Sequence, residues 1–121
     1  MRLFALRGAI SVDRNDARAI HEATATLMRE IMQRNGLRPE DLVSCIFTAT
    51  DDLDAEFPAA AARALGFEGV PLLCAREMAV PDAVPRAIRV LIHYHAEEGH
   101  RARHVYLREA SALRSDLQAA Q

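Results

Sequence analysis

The sequence predicts an α+β domain in which a mixed five-stranded sheet carries one long helix and one short one. Three observations lead there. Five apolar runs have the length of strands, one longer segment repeats its apolar residues at helical spacing, and a short alanine-rich segment opens on proline and closes on glycine. At 121 residues the chain has the size of one domain spanning 1–121, long enough to bury a real core.

The first run, "RLFALRGAISV" (2–12), alternates so that Leu3, Ala5, Arg7 and Ala9 share one face, with Phe4, Leu6, Gly8 and Ile10 on the other. Asn15 or Asp16 can cap the segment that follows. There Ala17, Ile20, Thr24, Leu27 and Ile31 recur at helical spacing until Gly36 and Pro39 end it. "LVSCIFTAT" (42–50) is a second strand. "DDLDAEFPAAAARALG" then reads as an acidic turn and a short helix, with Pro58 at its first position and Gly66 closing it. "VPLLC" (70–74), "PRAIRVLIHYH" (85–95) and "RHVYL" (103–107) supply the third, fourth and fifth strands. Residues 108–121 form an irregular or briefly helical tail that is expected to be mobile. One long helix covers one sheet face, so the other keeps an apolar surface that self-association would bury.

Composition narrows the function. Half of the residues are hydrophobic and 26% are charged, as in a globular protein, and a formal net charge of −2 offers no attraction to nucleic acid or an anionic membrane. All 15 basic residues are arginine, so each cation is a planar fork suited to carboxylates and none can form a Schiff base. Cys45 and Cys74 make neither a disulfide framework nor a zinc spacing. The N-terminal apolar run is too short for a signal peptide and no segment reaches membrane-spanning length, so the expected address is the cytoplasm, with both thiols reduced.

"AIRVLI" (87–92) poses the main problem, because it reads as a buried strand with a guanidinium in its middle. Arg89, and Arg7 in the first strand, need a partner once water is excluded. Either they pair with an acid such as Glu77, or they line a cleft that holds an anion through bidentate contacts. Arg14, Arg18, Arg29, Arg34 and Arg38 lie on or beside the polar face of the long helix and read as solvated. "HYHAEEGHRARH" contains His93, His95, His100 and His104. His93 and His95 share a strand face and could meet a metal, but the remaining spacing matches no ligand pattern and reads as a solvated turn. Cys74 has no flanking Cys-His-Asn arrangement and reads as a packed thiol. There is no glycine-rich phosphate loop and no serine triad.

Taken in order, "LRGAISVDRND", "TATDDLDAEFPAAAARALG", "VPLLCAREMAVP", "IRVLIHY" and "RHVYLREASALRSDL" resemble the monofunctional chorismate mutases of the trimeric α/β-barrel class. The resemblance spans about 3–117. It implies a homotrimer with a pseudo-α/β-barrel of packed sheets, three active sites at subunit clefts, and rearrangement of chorismate to prephenate without a cofactor or metal. It assigns Arg89 to the ether oxygen and a carboxylate of the substrate, Arg7 to the region of the ring hydroxyl, and Glu77 to that hydroxyl as acceptor. Leu73, Cys74, Ala75 and Arg76 would line the pocket, and Tyr106 would bond a carboxylate. The neighbouring subunit would bring Phe57, Ala59 and Arg63, and Leu113 and Arg114 would close over the site. Ala60 stands where such proteins often carry a basic residue. Two other readings stay open: an imine or enamine deaminase of the same trimeric architecture, and a non-catalytic trimer that binds a carboxylate metabolite.

Overall fold

Each apolar run becomes a strand in the computed structural model, which describes residues 1–113. The order is β1 (Arg2–Ser11), α1 (Ala17–Asn35), β2 (Leu42–Ala49), α2 (Pro58–Ala62), β3 (Leu72–Arg76), β4 (Ala87–Ala96) and β5 (Val105–Leu107). Short 3₁₀ turns occupy Pro39–Asp41 and Arg108–Ser111. The sheet order is β3-β2-β4-β1-β5; β4 lies antiparallel between β2 and β1, while β3 and β5 add in parallel at the two edges. This is the α+β class with the mixed sheet that the sequence predicted.

Asp16, not Asn15, caps α1, its side chain accepting from the Ala19 N–H at 2.7 Å. Asn15 is used differently: its Oδ1 accepts from the Asp54 and Ala55 N–H groups at 3.0 and 3.1 Å, which fastens the acidic turn after β2. Gly36 ends α1 at φ 62°, a left-handed conformation that glycine adopts without strain. Ala17 is exposed, so the buried stripe begins at Ala19 and Ile20 and runs through Leu27, Met28 and Ile31. The short helix stops sooner than its composition suggests. A π-helical turn at Arg63–Phe67 follows, in which Gly66 takes φ 102° and Phe67 reaches the core.

Alternation decides what each strand buries. Leu6 and Ile10 of β1, Phe47 of β2, and Ile88, Ile92 and Tyr94 of β4 are fully buried in one cluster with α1. Gly8 lets the helix come close, since a Cβ there would lie 2.6 Å from the Ile31 Cδ1 atom. Asn35, buried at the end of α1, donates to the Arg103 carbonyl at 3.0 Å and accepts from the Arg103 N–H at 2.8 Å, so β5 starts from a fixed point. β3 begins two residues later than "VPLLC" implied and ends at Arg76, because the Cys45 N–H takes the Pro71 carbonyl and pairing of the strands starts at Leu72. No helix among the described residues is long and apolar enough to cross a membrane.

Among the described residues, neither α1 nor α2 lies over the opposite sheet face. It presents Leu3, Ala5 and Arg7 of β1, Ile46 and Thr48 of β2, and Arg89, Leu91 and His93 of β4. Among the described residues, Ala110 and Leu113 cover its β1–β5 end by packing on Ala9.

Candidate active site

Register brings the candidate residues together. Arg89 lies directly opposite Ala9 on one side and Thr48 on the other, and Arg7 is opposite Leu91, which makes the two arginines diagonal neighbours across β1 and β4. Tyr106 pairs with Ala9 from β5. Glu77 follows β3 and is pinned by its N–H to the Ala49 carbonyl at 2.9 Å. These residues, with Thr48 and Leu113, surround a cavity of about 490 Å³ whose apolar floor includes Ile46 and Leu91.

The strand holding Arg89 is buried on one face only. The Arg89 side chain is 48% exposed, on the cavity side, and its Nε lies 3.3 Å from the Glu77 Oε2 atom. Both readings of this arginine are therefore partly realised: it has an acid partner, and the pair lines a cavity. The Glu77 side chain is 19% exposed, and its carboxylate also accepts a hydrogen bond from the Thr48 hydroxyl. Arg7 is half-buried and has no acid within ion-pair distance among the described residues. Among the described residues, two guanidinium groups thus face the cavity against one carboxylate. That balance suits an anion.

The Tyr106 hydroxyl is buried in the same place without a hydrogen-bond partner among the described residues. Burial pushes its pKa up, while the Arg7 and Arg89 charges pull the other way. A neutral phenol with an unused proton is a donor awaiting an acceptor. The Arg7 backbone N–H is held by the His104 Nδ1 atom at 3.0 Å. Burial, with the Arg7 charge adding to it, holds the His104 imidazole below its usual pKa.

The remaining sequence candidates separate from this cluster. Phe57, Cys74, Ala75 and Arg76 border a second depression of about 430 Å³ beside the β3 edge. Phe57 is 66% and Leu73 60% exposed, and Arg63 is exposed in the π-helical turn. Ala59 is 4% exposed and packs in the core. Cys74 is half-buried against the core, consistent with a packed thiol. Arg114 lies outside the described residues.

The histidines do not converge on a metal. His93 bonds Ser44 at 3.2 Å, His100 bonds Tyr94 at 2.7 Å and His104 bonds Arg7, and no metal-holding group of His, Cys, Asp or Glu occurs among the described residues. Thr48, Ile46 and Leu91 were absent from the sequence candidates. The alternation of "LVSCIFTAT" carried the signal for Thr48, but only pairing with β4 sets it beside Arg89.

Similarity to known proteins agrees with this geometry. The family model for chorismate mutase type I matches residues 3–117. Chorismate mutase AroH of Thermus thermophilus is 49% identical over 118 residues, covering 96% of this chain and 97% of the relative. The AroH protein of Bacillus subtilis (strain 168) is 38% identical over 119 residues, covering 97% and 94%. A solved chorismate mutase structure from Clostridium thermocellum superposes with a TM-score of 0.86 at 41% identity, over 90% of this chain and 98% of that one. The chain belongs to the chorismate mutase type I family.

Proposed function

We propose that this protein rearranges chorismate to prephenate in the cavity lined by Arg7, Glu77, Arg89 and Tyr106, acting as a cytoplasmic homotrimer with one domain per subunit and its sites at the subunit clefts. The reaction breaks one carbon–oxygen bond while forming one carbon–carbon bond within a single molecule. It needs no nucleophile and no proton transfer. It needs a folded substrate conformer and a donor where negative charge grows on the ether oxygen.

The observation that carries the reading is the excess of donors among the described residues: two guanidinium groups and an unpartnered buried hydroxyl against one carboxylate, over an apolar floor. Chorismate brings two carboxylates, an ether oxygen and a ring hydroxyl. Arg89 meets the ether oxygen and one carboxylate, and Tyr106 donates to a carboxylate. Arg7 lies towards the ring hydroxyl, and Glu77 accepts from that hydroxyl. A cation already in place reorganises little as the bond breaks, and one such donor is typically worth about 3–4 kcal/mol.

The trimer is supported by what the single chain leaves open. The sheet face away from α1 exposes Leu3, and Phe57 and Leu73 stand out from the surface. Packing with a second copy would bury these groups and bring Phe57 and Arg63 towards the neighbour's cavity. The test is loss of chorismate absorbance with purified protein, with and without a chelator, alongside sedimentation. Saturable, chelator-resistant conversion by a trimer is expected. Binding of chorismate without turnover would favour a non-catalytic carboxylate-binding trimer, and turnover of imines alone would favour a deaminase.

A further inference from the structure

We propose that Thr48 is a positioning residue, whose hydroxyl holds the Glu77 carboxylate in a one-oxygen contact with Arg89. The proposal rests on the reading above, in which Glu77 and Arg89 both meet the substrate.

Thr48 stands opposite Arg89 on the adjacent strand, and both reach the same carboxylate oxygen, Glu77 Oε2. Oε1 has no protein donor among the described residues. The carboxylate therefore keeps one oxygen for the pair and one for an incoming hydroxyl. Threonine suits the position because its branched side chain has few rotamers on a strand, so the hydroxyl stays aimed. Valine would fit the same space without the donor.

Glu77 needs such a restraint. It sits just past an edge strand, fastened by one backbone hydrogen bond, and the chain from Met78 to Ala83 is exposed. A carboxylate beside a guanidinium turns readily to a two-oxygen fork. That fork would occupy both carboxylate oxygens and draw the Arg89 donors away from the breaking bond. The Thr48 hydrogen bond to Oε2 opposes that rotation.

The experiment compares Thr48→Val and Thr48→Ser, each in the native and Glu77→Ala backgrounds, by chorismate turnover and thermal melting. Thr48→Val is expected to lower kcat about ten-fold or more, the value of a hydrogen bond to a charged group, with a smaller change in KM. Thr48→Ser keeps the hydroxyl and should remain near native activity. In Glu77→Ala the same valine substitution should change kcat less than two-fold or so, because its target is gone. Thr48→Ala serves as the second variant if valine lowers the melting temperature. Native kcat in Thr48→Val, serine as impaired as valine, or an undiminished effect in Glu77→Ala would each overturn the proposal. If Glu77→Ala alone retains native turnover, the role given to Glu77 falls, and Thr48 with it. An impaired Glu77→Ala beside a native Thr48→Val removes Thr48 alone.

Discussion

Thr48 and Arg89 face each other across adjacent strands and share one oxygen of the Glu77 carboxylate. Three residues far apart in the chain are joined here by strand register. A slip of one residue in β4 would turn Arg89 into the core and Ile88 towards the cavity. The buried stripe Ile88, Val90, Ile92 and Tyr94 opposes that slip, so the hydrophobic core also sets the position of the cation.

Arg89→Ala is expected to lower kcat by at least about 10²–10³-fold with the fold intact. Arg89→Lys should also be severely impaired, since one ammonium cannot replace a planar fork. Chorismate turnover with circular dichroism checks both. Near-native turnover in either variant would remove Arg89 from the mechanism.

Gly8→Ala is expected to destabilise the fold by about 1–3 kcal/mol, as overpacking does. The added carbon would lie 2.6 Å from the Ile31 Cδ1 atom, and 3.3 Å from both the Leu27 Cδ1 atom and the Val105 carbonyl oxygen. Urea unfolding measures the loss. Ile31→Val deletes the nearest atom and should recover part of the stability in the double variant, which a purely conformational effect at Gly8 would not allow.

Asn35→Ala should cost about 1–3 kcal/mol, because the partly buried Arg103 N–H and the Ile31 and Arg103 carbonyls each lose a partner. Amide exchange across Val105–Leu107 is expected to speed up more than exchange in β4. Equal protection of β5 in the variant would mean that Asn35 does not anchor the strand bearing Tyr106.

The His104 pKa is lowered in the fold from its ordinary 6.5, so the folded protein binds this proton less readily than the unfolded chain. Its contribution to stability is therefore complete above about pH 6.5 and is lost as pH falls through the lower folded pKa. His104→Asn keeps an acceptor for the Arg7 N–H without titrating. Melting temperatures between about pH 5 and 7.5 should fall less steeply in that variant. An unchanged slope would show that His104 does not govern it.

Much of the fold was legible because local chemistry announces it. Alternation in "RLFALRGAISV" identified the faces of β1, and the capping residues with Gly36 bounded α1. The short helix was less legible, because alanine-rich composition does not report the π-helical turn where Phe67 enters the core. At the site, Arg7, Glu77, Arg89 and Tyr106 were identified through ordered motifs and do line one cavity. The burial of Ala59 was not legible, because a motif records position along the chain and carries no information about which side of α2 is buried.

By itself the sequence determined which residues can be strand, helix or cation, since hydrophobic period and side-chain chemistry are local properties. The tertiary structure alone decided that Thr48, Glu77 and Arg89 share an oxygen, that the Tyr106 hydroxyl is buried without a partner among the described residues, and that Gly8 marks the close approach of α1. Those facts depend on pairing between strands distant in sequence, which is settled by the packing of the whole core.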